Sequence, residues 1–180
     1  MPHVALPAGQ FGIVGPLVQF PATGRVLSEL AETLLRGPSP LTPAEREMIA
    51  AHVSHGNECQ FCAGSHAAAA RALLGAHASI MDGVLADGAG GPVDARMRAL
   101  LIIAGKVRVD GRSVTAEDVD AARAAGADDQ AIHDTVLIAA AFSMFNRYVD
   151  GLSTTIPPDP AMYRPMGEQL ATRGYLATVA

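Results

Sequence analysis

The sequence contains two cysteines, Cys59 and Cys62, and only two residues separate them. His66 follows four positions after Cys62. On an α-helix, residues three and four apart share a face, so the two thiols and the imidazole would lie in one line. Two thiols beside a proton acceptor suit thiol–disulfide chemistry, in which one thiolate attacks an electrophile and the other thiol closes a disulfide.

A carboxylate joins this group if the chain forms a tight antiparallel helical hairpin. With the turn at Gly56-Asn57, Glu47 lies nine residues before the turn and His66 nine residues after it. At a rise of about 1.5 Å per residue, both would lie about 13 Å from the turn and therefore at one level. Small residues on the Glu47 face would permit close helix packing: Ala50, Ala51 and Ser54. We expect Glu47 to orient His66 or to receive its proton.

The predicted division of labour makes Cys62 the attacking thiol. Glu47 and His66 would draw the proton from Cys62, and the thiolate would attack an electrophile such as the O–O bond of a peroxide. Cys59 would then resolve the sulfenic acid as a disulfide. If Asn57 caps the helix, its dipole favours the opposite order, with Cys59 attacking first. We prefer Cys62 because the acid/base pair is closer to it, and Cys59 is better placed for a reducing partner.

Two other classes of protein would use these residues differently. His52, His55, Cys59 and Cys62 offer two nitrogens and two sulfurs, a ligand set that zinc accepts, although these ligands would crowd a tight turn. In a non-catalytic helical assembly protein, the thiols would be incidental. Metal analysis distinguishes the first alternative from a redox enzyme, and titration of reactive thiols tests the second.

Helices are predicted to position these residues. Thr42-Pro43-Ala44-Glu45 combines a capping threonine, a proline at the first helical position and a glutamate three residues after the cap, and this helix should end at Gly56. Asn57 would cap the next helix, with Gln60 reaching back to it, and alanines would continue that helix to about Leu74. The hairpin would therefore have almost no loop.

The predicted fold class is all-α, a single-domain helical bundle in which the antiparallel hairpin carries the Cys-x-x-Cys pair, because strand-like alternation is sparse. Outside the hairpin, helices are expected at about 24–36, 80–85, 94–107, 115–125 and 128–152. The last is the longest and mostly apolar, hence central. The predicted organisation is an extended N-terminal arm over 1–23, a helical domain over 24–155, and a Pro-containing tail with room for a short helix over 156–180.

Composition limits the classes of partner. The chain has 180 residues, 49% of them hydrophobic, which is enough for a sizeable core. Its formal net charge is -5, and the 13 basic residues form no cluster, so nucleic acid is a poor candidate partner. The longest apolar stretch, 135–145, is too short to span a bilayer. Residues 1–11 do not resemble a signal peptide, and two close cysteines do not suit a secreted disulfide scaffold, so we expect a cytoplasmic location and no membrane partner.

The pattern Glu47, eleven residues, Cys59-Gln60-Phe61-Cys62, three residues, His66 resembles the active-site signature of alkylhydroperoxidase D-like proteins, within the carboxymuconolactone decarboxylase superfamily. Looser similarity extends from about residue 41 to residue 152. The resemblance implies an all-helical fold and a thiol-dependent peroxidase that uses no metal or haem cofactor. It implies the same roles for Cys62, Cys59, His66 and Glu47. The implied partners are a small hydroperoxide substrate and a thiol or dithiol electron donor.

The sequence departs from this family at Phe61, where well-studied members have a histidine between the two cysteines. Part of their proton relay is therefore absent. Phe61 would be a core residue or would shape an apolar pocket, and we prefer the core. The decarboxylase members of the superfamily generally lack the cysteine pair, and a non-redox member of the superfamily is the alternative that this departure leaves open.

The long helix is apolar on most sides, and the family resemblance implies obligate oligomers. We therefore expect a symmetric homo-oligomer, a trimer, hexamer or dimer, with apolar surface between subunits. Asn146 and Arg147, near the end of this helix, are read as a solvated or interface pair rather than as pocket residues.

Overall fold

The computed structural model describes residues 1–178, and within them the chain is all-α, without a strand. The all-α prediction is confirmed. The α-helices of this part of the chain are α1 (Val14–Gln19), α2 (Pro21–Arg36), α3 (Pro43–Gly56), α4 (Gln60–Leu74), α5 (Ser79–Asp87), α6 (Ala95–Val109), α7 (Ala116–Ala124), α8 (Asp129–Gly151) and α9 (Tyr163–Arg173). In the same residues, no helix is both long and apolar enough to cross a membrane.

Helix α3 begins where its capping residues predict. The Thr42 hydroxyl accepts a hydrogen bond from the Glu45 amide at 3.3 Å, and the Glu45 carboxylate accepts one from the Thr42 amide at 2.7 Å. Pro43 occupies the first turn, where its missing N–H costs no helical hydrogen bond. These local interactions fix the start of the helix that carries Glu47.

Helix α4 begins later than the sequence predicts, because Asn57 is not its cap. Asn57 instead closes α3, Cys59 is the residue before α4, and the helix starts at Gln60. Glu58 adopts a left-handed conformation with φ of 59°, and the Cys59 amide donates to the Ser54 carbonyl at 3.0 Å. Residues 57–59, which were expected to cap α4 and form part of its first turn, therefore form the reversal between α3 and α4.

The N-terminal segment is more helical than the predicted extended arm. Part of residues 1–23 forms α1, and α2 begins at Pro21 rather than near Gly24. Proline has a fixed φ close to the helical value, so Pro21 suits the first position of a helix. A side chain at Gly24 would collide with the backbone of Leu17, so glycine permits the close packing of α1 on α2.

The hydrophobic core lies between α3, α6 and α8, and α8 is central as predicted. Its inward face carries fully or nearly fully buried side chains such as Ile138 and Phe142. Helix α4 packs on α3 along one side and on α9 along the other. At the second contact, Gly167 lies against the backbone of Ala68 and Ala69 and leaves no space for a side chain. Helix α9 therefore packs directly on the helix that bears Cys62 and His66.

Candidate functional site

Glu47 and His66 meet across the hairpin. Glu47 on α3 is fully buried, and its Oε2 lies 2.7 Å from Nδ1 of His66 on α4. The edge of the Phe142 ring packs against the imidazole, with ring centroids 4.5 Å apart. The structure therefore brings together the carboxylate and the imidazole at the level that the hairpin arithmetic gives.

Two residues that the sequence analysis did not identify complete the surroundings of Glu47. Its Oε1 accepts hydrogen bonds from Arg36 Nη2 at 2.6 Å and from the Tyr175 hydroxyl at 2.5 Å. The Arg36 guanidinium also lies over the Tyr175 ring, 5.2 Å from its centroid. A buried carboxylate needs a cation, but nothing in the spacing of the basic residues indicates which one supplies it.

The charge of Glu47 is stabilised within the protein. Burial alone raises the pKa of Glu47, but His66, Arg36 and Tyr175 outweigh it, and the net pKa is lower than usual. Burial and the neighbouring Glu47 charge raise the pKa of Tyr175 well above its ordinary value, so its hydroxyl keeps its proton and donates. Because Glu47 is an ionised acceptor, we assign a proton to Nδ1 of His66, which leaves Nε2 as an acceptor.

Cys62 and His66 line one cavity of about 360 Å³. Phe61 and Ser65 of the same helix contribute to its wall, together with residues from α1, α2, α8 and the α9 segment. Phe61 is buried, packs near Tyr163 at a centroid distance of 6.2 Å, and lines the cavity, so it is both a core residue and a pocket residue.

Cys62 occupies the third position of α4, so the helix dipole favours a thiolate at Cys62 rather than at Cys59. The first hydrogen bond of the helix runs from the Ala63 amide to the Cys59 carbonyl at 2.9 Å, so the amides of the three preceding residues have no partner within the helix. Negative charge in this first turn is favoured by the helix dipole. The sequence analysis expected this benefit at Cys59, which precedes the helix instead.

Cys59 differs from Cys62 in surroundings and in acidity. Both are free thiols, but Cys59 does not line the cavity; it lies beside a separate open depression that also contains His55 and Tyr163. A hydrogen bond with Cys62, burial, and contact with Asp150 raise the pKa of Cys59 well above its usual range. Cys59 therefore keeps its proton while Cys62 faces the cavity.

The four residues of the zinc alternative are not assembled around one point. His52 packs near Gly88 and Gly105, and burial lowers its pKa. His55 shares the open depression with Cys59. Among residues 1–178, no group of three or more His, Cys, Asp or Glu side chains is arranged to hold a metal ion.

Asn146 has a role that the sequence analysis missed, since it was read as a solvated or interface residue. It is 1% exposed, its Nδ2 donates to Ser54 Oγ at 3.0 Å, and its Oδ1 accepts from Asn57 Nδ2 at 2.9 Å. These bonds tie α8 to the end of α3 and to the turn before Cys59. Arg147, in contrast, is exposed.

The sequence model of the Carboxymuconolactone decarboxylase family matches residues 21–81, which include Glu47, Cys59, Cys62 and His66. No curated protein sequence matches the chain.

Two solved structures share most of the fold. A peroxidase-related protein from Silicibacter sp. TM1040 is 27% identical, with a TM-score of 0.76 over 84% of this chain and 78% of that one. An alkylhydroperoxidase AhpD core, peroxidase-related protein from Ralstonia eutropha JMP134 is also 27% identical, with a TM-score of 0.75 over 85% of this chain and 78% of that one. The family match and the two structures together support an alkylhydroperoxidase D-like member of the carboxymuconolactone decarboxylase superfamily.

Proposed function

We propose that the protein is a thiol-dependent hydroperoxide reductase in which Cys62 is the attacking thiol. One observation carries this proposal: Cys62 and His66 line the same cavity, while Glu47 holds the far side of the imidazole through a 2.7 Å hydrogen bond. This arrangement supplies a nucleophile (Cys62), a base (His66) and a carboxylate that orients the base (Glu47), as nucleophilic catalysis requires.

The first step oxidises Cys62. Nε2 of His66 takes the thiol proton, and the thiolate attacks the terminal oxygen of a hydroperoxide, ROOH. The O–O bond breaks, sulfur gives up two electrons, and Cys62 becomes a sulfenic acid. The leaving alkoxide takes the proton back from the imidazolium and departs as ROH. Glu47 stabilises the imidazolium that exists between the two proton transfers.

The second step closes a disulfide. The sulfur of Cys59 attacks the sulfur of the Cys62 sulfenic acid, hydroxide leaves with the Cys59 proton as water, and a Cys59–Cys62 bond forms. The side chain of Asp150 contacts Cys59 and can accept its proton first. A thiol or dithiol donor, the second expected partner, would then reduce the disulfide by exchange and regenerate both thiols.

We also propose a homo-oligomer in the cytoplasm. Exposed apolar side chains on the outer face of α8, Leu137 and Met144, and the exposed Ile102 of α6 offer a surface that a second copy would cover. Free thiols favour a reducing compartment. Sedimentation analysis over a range of concentrations should give a mass of two, three or six chains, and a monomer at every concentration would refute the assembly.

The experiment that tests the reaction uses reduced protein and one molar equivalent of cumene hydroperoxide. We expect one equivalent of cumyl alcohol, the loss of two titratable thiols, and a Cys59–Cys62 disulfide in peptide mass spectrometry. The control is the same protein unfolded in denaturant, because its thiols have no relay. Equal rates of thiol loss in the folded and unfolded protein would overturn the proposal. Metal analysis of protein purified without added zinc tests the zinc alternative in parallel.

A further inference from the structure

The cavity contains two polar groups that the proposed reaction leaves unused. The hydroxyl groups of Ser28 on α2 and Ser65 on α4 both line it, and the two residues are only 2% and 3% exposed. Neither hydroxyl has a hydrogen-bond partner within the described part of the chain. Buried polar atoms are nearly always paired in folded proteins, so a pair of orphaned hydroxyls on one cavity indicates that a ligand completes them.

The remainder of the wall defines the charge of that ligand. The residues that line the cavity within residues 1–178 include apolar side chains from α1, α2 and α8, the neutral amides Gln10 and Gln169, and no Lys, Arg, Asp or Glu. Arg36 and Glu47, which lie behind the lining residue Tyr175, are bound to each other. A carboxylate or phosphate inside this cavity would therefore lose water without gaining a cation.

The positions of the two hydroxyls separate their roles. Ser65 lies three residues after Cys62 and directly before His66, so it shares the reacting end of the cavity with the attacking sulfur. Ser28 belongs to α2, a different helix from the one that carries Cys62 and Ser65, and it lines the same cavity. Because it reaches the cavity from another wall, its hydroxyl is suited to a second polar atom of the ligand.

We propose that the cavity selects a neutral, mainly apolar organic hydroperoxide that carries a second hydrogen-bonding oxygen, with Ser65 at the peroxide group and Ser28 at the second oxygen. This inference rests on the proposed peroxide reduction at Cys62. The volume of about 360 Å³ equals roughly that of a dozen water molecules at about 30 Å³ each, which is enough for a small organic molecule. Hydrogen peroxide would leave most of this volume and the Ser28 hydroxyl unused.

The test measures binding without redox chemistry. Calorimetric titration of the reduced protein would use cumyl alcohol, its meta- and para-methoxy derivatives, and its para-carboxylate. We expect the better of the two methoxy compounds to bind about three- to tenfold more tightly than cumyl alcohol, which is the range of one net hydrogen bond. The carboxylate should bind more weakly than cumyl alcohol and than that methoxy compound. Equal or tighter binding of the carboxylate, or no binding of any compound, would overturn the inference.

Three serine variants refine the test. Ser28→Ala should remove the advantage of the methoxy compound and leave the affinity for cumyl alcohol unchanged, whereas Ser65→Ala should weaken every compound. Ser79→Ala, at an exposed serine outside the cavity, should change nothing. If the Ser28 hydroxyl is merely an unpaired core group, Ser28→Ala will keep the full methoxy preference, and the inference is wrong.

The two proposals fail in different ways. If hydrogen peroxide oxidises Cys62 but none of the alcohols binds, the ligand inference is wrong and the peroxide reduction stands. If the alcohols bind in the expected order but their hydroperoxides do not oxidise Cys62, the cavity has the proposed ligand class and the reaction is wrong.

Discussion

The hydroxyl of Tyr175 lies 2.5 Å from Oε1 of Glu47, although 128 positions separate the two residues in the chain. The same hydroxyl is 3.3 Å from Nδ1 of His66, and the two rings are nearly parallel, with centroids 6.0 Å apart. A segment beyond the last α-helix thus holds both members of the Glu47–His66 pair. Tyr175 is a positioning residue, since its hydroxyl acts on the Glu47 carboxylate rather than on the reacting sulfur.

Tyr175→Phe should keep the ring and remove this donor. Because the Tyr175 hydrogen bond helps to lower the pKa of Glu47, its loss should move that pKa upward. A carboxyl group with a depressed pKa stabilises the fold above its unfolded pKa, so the variant should lose about 1.5–3 kcal/mol at neutral pH. Acid unfolding should also begin at higher pH. Circular dichroism during acid and urea titrations measures both effects.

The control for this substitution is Tyr148→Phe, at a partly buried tyrosine outside the cavity. It should leave the acid transition unchanged. If Tyr175→Phe behaves like the control, the hydroxyl contributes nothing to the stability of the buried carboxylate.

Glu47→Gln should destabilise the fold as well as the relay. The carboxylate is fully buried and its removal leaves the Arg36 charge, 13% exposed, without its partner, which costs about 3–5 kcal/mol. The pKa of Glu47 is lowered from 4.5, so the stability difference from the wild type should be complete above that pH and should shrink as pH falls through the folded-state value. Urea unfolding from about pH 7 to about pH 3 tests this sign.

Glu29→Gln is a matched control on α2, where Glu29 forms an exposed pair with Arg25. Surface pairs contribute little, so its stability should change by at most about 0.5–1 kcal/mol. A difference between wild type and Glu47→Gln that widens on acidification would contradict an ionised Glu47.

His66→Ala should slow the reaction of Cys62 at neutral pH. Without the imidazole, the thiol has no neighbouring base, and positioned bases commonly contribute about 10²–10⁴-fold. Raising the pH should recover part of the loss, because hydroxide then forms the thiolate directly. A pH profile of iodoacetamide alkylation, with peptide mapping of Cys62, measures the effect. His77→Ala, at an exposed histidine, should reproduce the wild-type curve, and a His66→Ala curve that superimposes on both would remove His66 from the mechanism.

Replacing each cysteine alone should affect peroxide consumption differently. Cys62→Ser should abolish peroxide consumption, because the remaining thiol, Cys59, does not line the cavity. Cys59→Ser should still allow one turnover and leave a sulfenic acid on Cys62 that dimedone traps. Mass spectrometry locates the adduct. An adduct on Cys59 in the Cys62→Ser protein would reverse the two roles.

The hairpin and the Glu47–His66 contact were predictable because both follow from local spacing. Thr42 and Glu45 fix the start of α3 within one turn, and helical rise then sets the level of Glu47. The start of α4 was not predictable from the same rules. Asn57 is a good cap in isolation, but its side chain bonds to Asn146 of α8, 89 positions away. Tertiary contact overrides the local preference of such a residue.

The partners of Glu47 were not predictable for a similar reason. Arg36 is the last residue of α2 and Tyr175 follows α9, and neither stands at a helical interval from the cysteine pair. Only the packing of α2 and α9 around the hairpin brings them to the carboxylate. The orphaned hydroxyls of Ser28 and Ser65 also become visible only when the cavity between those helices is known.

The walls of the cavity have an implication for biosynthesis. The thiols lie about a third of the way along the chain, whereas residues from both sides of them close the cavity, Gln10–Val18 before them and Met166–Ala177 after them. A ribosome therefore finishes Cys59 and Cys62 long before it supplies α9 and Tyr175. During that interval, the cavity that restricts access to Cys62 in the folded protein is incomplete.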